Sequence, residues 1–184
     1  MRINRKVLIV SVIAVFITGL QGAQAKPKAK ADMTANYTIV HAIPAGFGAD
    51  VVDVYANNNL VIDNATPGAI ATFTVPRGNM TVKIYANGIK PSDTATALLS
   101  AGPVYLSKGN DLSFVAHLTS DEKAKLTIFK NMTTEAGSKR SWLTIRHVAG
   151  AGPVQLRING APTFVPIENT MERKKSLAFG SYSI

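Results

Sequence analysis

The sequence predicts an all-β protein, an antiparallel Greek-key β-sandwich of immunoglobulin-like type followed by a partial second copy. Three observations carry the prediction. Alternating or β-branched runs recur roughly every 8 to 15 positions and are bounded by Gly, Pro, Asn and Asp. No window holds the i, i+3, i+4 spacing of an amphipathic helix. The pattern Tyr37-Thr38-Ile39-Val40-His41, followed by Val52-Asp53-Val54-Tyr55, starts again at Leu143-Thr144-Ile145-Arg146-His147 and Val154-Gln155-Leu156-Arg157-Ile158.

Residues 1–25 read as a secretory signal peptide. Arg2, Arg5 and Lys6 form a basic start, residues 7–20 are apolar, and Ala23 and Ala25 put small side chains where a signal peptidase reads, so cleavage is expected after Ala25. A bilayer span needs about 20 apolar residues, and this run is shorter and is broken by Gln21, Gly22 and Gln24. The mature chain is therefore expected to be secreted or extracytoplasmic, at the cell surface or in the periplasm, without spanning a membrane. It has no cysteine, so no disulfide supports the exported fold and its core must supply the stability. Residues 26–35, with Pro27 among Lys26, Lys28 and Lys30, read as a flexible spacer.

Residues 36–130 form the first β-sandwich module. Strands are expected over 37–43, 51–56, 60–62, 69–75, 80–86, 98–106, 111–118 and 125–130. Asn57-Asn58-Asn59 tolerates the positive φ of a tight hairpin, and Pro76-Arg77-Gly78 and Ser107-Lys108-Gly109-Asn110 supply turn chemistry. Met80, Val82 and Ile84 alternate with Thr81, Lys83 and Tyr85. Leu112, Phe114, Ala116 and Leu118 alternate with Ser113, Val115 and His117, so each of these strands should bury one face and wet the other. Short strands at this density are the pattern of a sandwich.

Residues 131–141, polar and carrying Gly137-Ser138-Lys139-Arg140, read as a linker, and residues 142–184 as an incomplete second β-module. Asn159-Gly160 is the strongest hairpin signal in the chain. Asn57 and Asn159, Val75 and Leu177, Gly78 and Gly180, and Val82 and Ile184 are each 102 positions apart. Ile184 thus corresponds to a mid-strand residue. The second copy is expected to lack later strands, as a truncation of a longer two-module protein or with its tail docked on the first copy or on another chain, where the open edge self-associates or takes a strand from a neighbour.

The formal net charge is +9, but it is carried at the ends. Between Tyr37 and Lys130 seven basic residues face seven acidic ones. A neutral module with few aromatics and no basic helix is not a nucleic-acid reader. The terminal excess serves solubility or meets an anionic wall polymer or lipid surface.

The series Val40-His41-Ala42-Ile43-Pro44, Val52-Asp53-Val54-Tyr55, Val115-Ala116-His117-Leu118-Thr119 and Leu143-Thr144-Ile145-Arg146-His147 resembles a bacterial family of domains of unknown function, numbered 4397. The resemblance implies an exported protein with one or two β-sandwich modules. It implies no activity. In the second copy Gly150 stands where the motif has proline and Gln155 where it has aspartate.

Chemistry-bearing residues are few. His41, Pro44, Phe47, Asp53 and Tyr55 are the candidate ligand-binding set, since the long Gly-rich loop of residues 42–51 at one sandwich end is where such a fold would bind a partner, a cell-wall glycan or another envelope protein. A metal-dependent or hydrolytic enzyme would need His41, Asp53 and His117 to converge. The plainer alternative is that each histidine bonds backbone at a strand end, and that Asp53 bonds a neighbouring loop. Asp111, Ser113 and His117 share one strand face, but Ser113 and His117 would lie about 13 Å apart at the rise of a strand, too far for a nucleophile and its base. No cofactor motif is present, and a non-enzymatic structural or ligand-binding role is expected.

Overall fold

The computed structural model describes residues 33–184; the expected signal peptide and most of the expected spacer, residues 1–32, lie outside the described residues. Eight strands follow the order the sequence predicts: β1 (Thr34–His41), β2 (Val52–Ala56), β3 (Asn59–Ala65), β4 (Ile70–Pro76), β5 (Gly78–Ala86), β6 (Leu99–Leu106), β7 (Asp111–Leu118) and β8 (Ala124–Lys130). β1 begins inside the expected spacer, because Thr34 and Ala35 already pair with Pro76 and Val75. Asn57 and Asn58 join β2 to β3 with φ of 48° and 63°, the left-handed pair a two-residue hairpin needs.

The strands form two four-stranded sheets, β4-β1-β7-β8 and β3-β2-β5-β6. Every pairing in these two sheets is antiparallel, as expected, except one. β1 and β7 run parallel, from Asn36 opposite Asp111 to His41 opposite Ala116. Between them the chain passes repeatedly from one sheet to the other, and a parallel pair requires such a long crossover connection. The core lies between the sheets. Tyr37 stacks on Phe73 at 5.0 Å and meets Phe114 edge-on at 6.1 Å, while Val52, Val54, Met80, Val82 and Ile84 close it from the opposite sheet.

A second correction concerns the faces expected to be wet. Ser113, Val115 and His117 of β7 are buried, as is Tyr85 of β5. On β7 the cover comes from the C-terminal part of the chain, which forms β9 (Arg140–Arg146), β10 (Arg157–Ile158), β11 (Ala161–Pro162) and β12 (Glu172–Ala178). Arg146 lies over the Phe129 ring with Cζ 4.7 Å from its centre and donates to Asn131 Oδ1 at 2.6 Å and to Ser113 Oγ at 3.3 Å. Asn169 Nδ2 donates to the Leu118 carbonyl at 3.0 Å. Gly150 rests so close to Leu118 that a Cβ there would meet the Leu118 Cβ at 3.2 Å. Glycine stands here at the position of the motif proline, and a larger residue would press on Leu118.

The C-terminal part reproduces the hydrogen bonding of the first strands. β9 pairs with β12 from Arg140 opposite Ala178 to Arg146 opposite Glu172, and β1 pairs with β4 from Thr34 opposite Pro76 to Val40 opposite Ile70. The Gly68 N–H donates to the His41 carbonyl, as the Thr170 N–H does to His147, and Asn57 and Asn159 make the same two bonds to Thr81 and Ser183. Arg146 and Glu172, joined at 2.7 Å, stand where β1 and β4 carry the apolar pair Val40 and Ile70. The expected linker ends earlier than residue 141, since Arg140 is already in the ladder.

Candidate functional site

At the end of the sandwich crossed by the 42–51 loop, a cavity of about 190 Å³ lies between the two sheets. Both sheets contribute to it. Ile39 and His41 enter from β1 and Ala116 from β7; Val54, Ile62 and Ile84 enter from the opposite sheet; Phe47 and Gly48 come from the loop. Each wall is the inward side of a period-two alternation, so the lining is aliphatic wherever the core would be. Phe47 and Leu98 line the cavity and are themselves partly exposed, at 42 % and 47 %, which marks its mouth.

His41 is the one polar side chain among the described lining residues. It ends β1, where its backbone N–H reaches the Ala69 carbonyl and its own carbonyl accepts from Gly68. Its ring is 3 % exposed, and Nε2 lies 2.7 Å from the Ala49 carbonyl oxygen. A carbonyl only accepts, so Nε2 carries the hydrogen and the ring latches the loop to the strand. His147 does the same in the C-terminal part, with Nε2 2.8 Å from the Gly152 carbonyl. The bond persists although the loop is shorter there. His41 Nδ1 has no partner at all.

The other candidates stand elsewhere. Pro44 is exposed on the loop and does not reach the cavity. Asp53 points from the far side of β2, where its carboxylate accepts from the Asn64 N–H at 2.9 Å and the Gly88 N–H at 2.8 Å. It ties the end of β3 to the turn after β5. Tyr55 lies on that side too, packed edge-on against Tyr85 at 5.6 Å. Burial, followed by the Asp53 and Asp63 carboxylates and Tyr85, pushes its phenol up. Phe129 is on β8 of the other sheet, under Arg146.

His117 is on the opposite face of β7 from the cavity. Its Nδ1–H donates to the Leu118 carbonyl at 2.9 Å, leaving Nε2 to accept from Thr127 Oγ1 at 2.8 Å. His41, Asp53 and His117 thus face three different ways, and among the described residues no three His, Asp or Glu side chains gather to hold a metal. Ser113 bonds Asn131 rather than His117. The loop and His41 were visible in the sequence as candidates. Ile62, Leu98 and Ala116 were not, since an aliphatic residue that lines a cavity has the same pattern as one that fills a core.

Fold and site together define a two-sheet all-β module with an apolar cavity at one end and a buried histidine in its wall. The chain matches the family model described as a domain of unknown function (DUF4397) over residues 35–157, and it belongs to that family. No curated protein matches it.

Proposed function

We propose that the chain is an exported, non-enzymatic binding module of the cell surface or envelope that holds a small apolar ligand between its sheets. One observation carries this reading: a cavity with aliphatic walls, lined by His41 and Phe47, beneath the exposed 42–51 loop. Such walls favour a hydrocarbon body over a cell-wall glycan, whose hydroxyls would lose water without finding partners. An apolar cavity of about 150 Å³ is enough to bind benzene, so this one suits ligands of that size or slightly larger. The export signature read in residues 1–25 supports a location outside the cytoplasm.

The test is titration of toluene into the protein, followed by the methyl NMR resonances of the lining residues. Ala116→Leu, which fills the cavity, and Ala124→Leu, which crowds it from an exposed position, should each weaken binding at least about fivefold. For Ala124→Leu the melting temperature should not change. Toluene binding by both variants as tight as by the unsubstituted protein would sink the idea.

A second reading is favoured by the edge of β9. β1 pairs with β4 on one side and β7 on the other, whereas β9, in the same register with β12, has no second neighbour among the described residues. An unpaired edge accepts a strand, so the chain would also act as a strand-accepting assembly subunit. Light scattering that finds only monomer across a hundredfold concentration range would remove this reading.

A further inference from the structure

The β9–β12 ribbon does not carry the side chains that its place in the repeat prescribes. Along the matching ladders, Trp142 stands where β1 has the exposed Asn36, and Phe179 stands where the exposed Arg77 follows β4. The backbone is shared, since the Phe179 N–H reaches the Lys139 carbonyl as the Arg77 N–H reaches that of Met33. Lys175, which is exposed, stands where Phe73 stacks on Tyr37 in the core. Leu143 and Leu177 keep the apolar character of Tyr37 and Val75. Aromatic rings thus occupy surface positions and a lysine occupies a core position, which is not the pattern of a sandwich core left uncovered. Trp142, Phe179 and Tyr182 are 39 %, 68 % and 37 % exposed. With Leu143 and Leu177 they line one open groove of about 300 Å³.

Basic residues flank that groove. In the ladder Lys175 pairs with Leu143 and Arg140 with Ala178, and Lys139 is bonded to Phe179. Residues 131–184 carry seven basic side chains against three acidic ones, Glu135, Glu168 and Glu172, whereas residues 37–130 carry seven of each. Glu172 is already engaged by Arg146 and Lys174. Two copies meeting through this groove would bring like charges together, which disfavours self-association. A polyanion without hydrocarbon would leave the rings in water. An anionic bilayer meets both demands, because aromatic rings settle at headgroup level and each Lys or Arg beside them gains from the negative surface. We propose that this end of the β9–β12 ribbon docks on an anionic lipid membrane, with Trp142, Phe179 and Tyr182 set into the interface and Lys139, Arg140 and Lys175 against the headgroups. The inference rests on neither the cavity nor the open edge of β9.

The experiment uses the full chain and vesicles of two compositions, phosphatidylcholine alone and its equimolar mixture with phosphatidylglycerol. Trp142 is the only tryptophan, so its emission reports this groove and is blind to lipid contacts made elsewhere on the chain. On the mixed vesicles that emission should shift to the blue and be quenched by brominated acyl chains, a readout that needs no variant. On phosphatidylcholine alone, half-quenching should need at least about tenfold more lipid. Lys139→Gln combined with Lys175→Gln should raise the lipid needed on the mixed vesicles at least about fivefold, and Phe179→Ser should do the same. These side chains are exposed, so the melting temperature of each variant should not change. A chain that sediments with the mixed vesicles while Trp142 stays unquenched would place the contact elsewhere and overturn the proposal. Equal quenching by the two compositions would overturn it too. A blue shift that grows with protein concentration in the absence of lipid would make a second copy the occupant and overturn it as well.

Discussion

His117 shows what burial does to a single titratable group. Burial lowers its pKa below the ordinary 6.5, the nearby Lys125 and His147 lower it further, and the bond to the Leu118 carbonyl works the other way. The folded protein therefore binds a proton at His117 less readily than the unfolded chain does. With the folded pKa depressed, the stability this confers is fully present above about 6.5 and is lost as pH falls below it. The ring of His117 should titrate by NMR with a midpoint under 6.5, and His117→Gln should flatten the fall of melting temperature between pH 7 and about 5. A midpoint at or above 6.5 would mean that the ring is open to water. At the other extreme, burial pushes the Tyr37 phenol up to about 12, so its contribution is complete below pH 10 and disappears as pH rises toward 12. Absorbance titration should show Tyr37 ionising late, as Tyr55 also should, with alkaline unfolding accompanying the Tyr37 step.

At the scale of strands, the ladder between β5 and β6 contains an irregularity where the register shifts between Met80 and Val82. Gly102 sits opposite it with φ of +108°, and a Cβ there would come within 2.5 Å of the Met80 carbonyl oxygen and 3.0 Å of the Thr81 Cα. Backbone cannot retreat as a flexible side chain can. Gly102→Ala should cost about 2 to 4 kcal/mol, from the φ strain and the contact together, measured as a lower urea midpoint with unchanged slope. A loss under about 0.5 kcal/mol would show that the bulge absorbs the methyl. Strands of this kind were legible in the sequence because period-two alternation and turn residues are local signals. The parallel pairing of β1 with β7 was not, since orientation depends on which sheet the intervening chain visits. Nor was the burial of Ser113 and His117: their alternation with Leu112 and Phe114 reports one apolar face, and cannot tell water from Arg146 on the other. The long loop and His41 stood out at the site, whereas the orphaned Nδ1 is a matter of geometry that no residue pattern encodes.

For the whole molecule, the C-terminal part repeats the opening hydrogen bonds of the sandwich but has a different outer surface. Arg146 and Glu172 replace an apolar cross-strand pair, and Arg146 turns toward the first module, bonding Glu172 at 2.7 Å, Asn131 at 2.6 Å and Ser113 at 3.3 Å while covering Phe129. Lys174 completes the seam, with Nζ 2.6 Å from Glu172 and 3.2 Å from the Lys130 carbonyl. Truncating Arg146 removes these bonds but leaves Glu172 paired with Lys174, so the loss should be less than for a fully buried ion pair. We expect Arg146→Ala to cost about 1 to 2 kcal/mol. The cost should fall unevenly. The single tryptophan of the chain, Trp142, is on β9, so its fluorescence reports the C-terminal part, while far-UV circular dichroism is dominated by the eight strands of the first module. In Arg146→Ala the fluorescence transition in urea should move to lower concentration and separate from the dichroism transition, because the seam that couples the two parts has been cut. Coincident transitions shifted together would show that the β9–β12 ribbon is held by contacts other than Arg146.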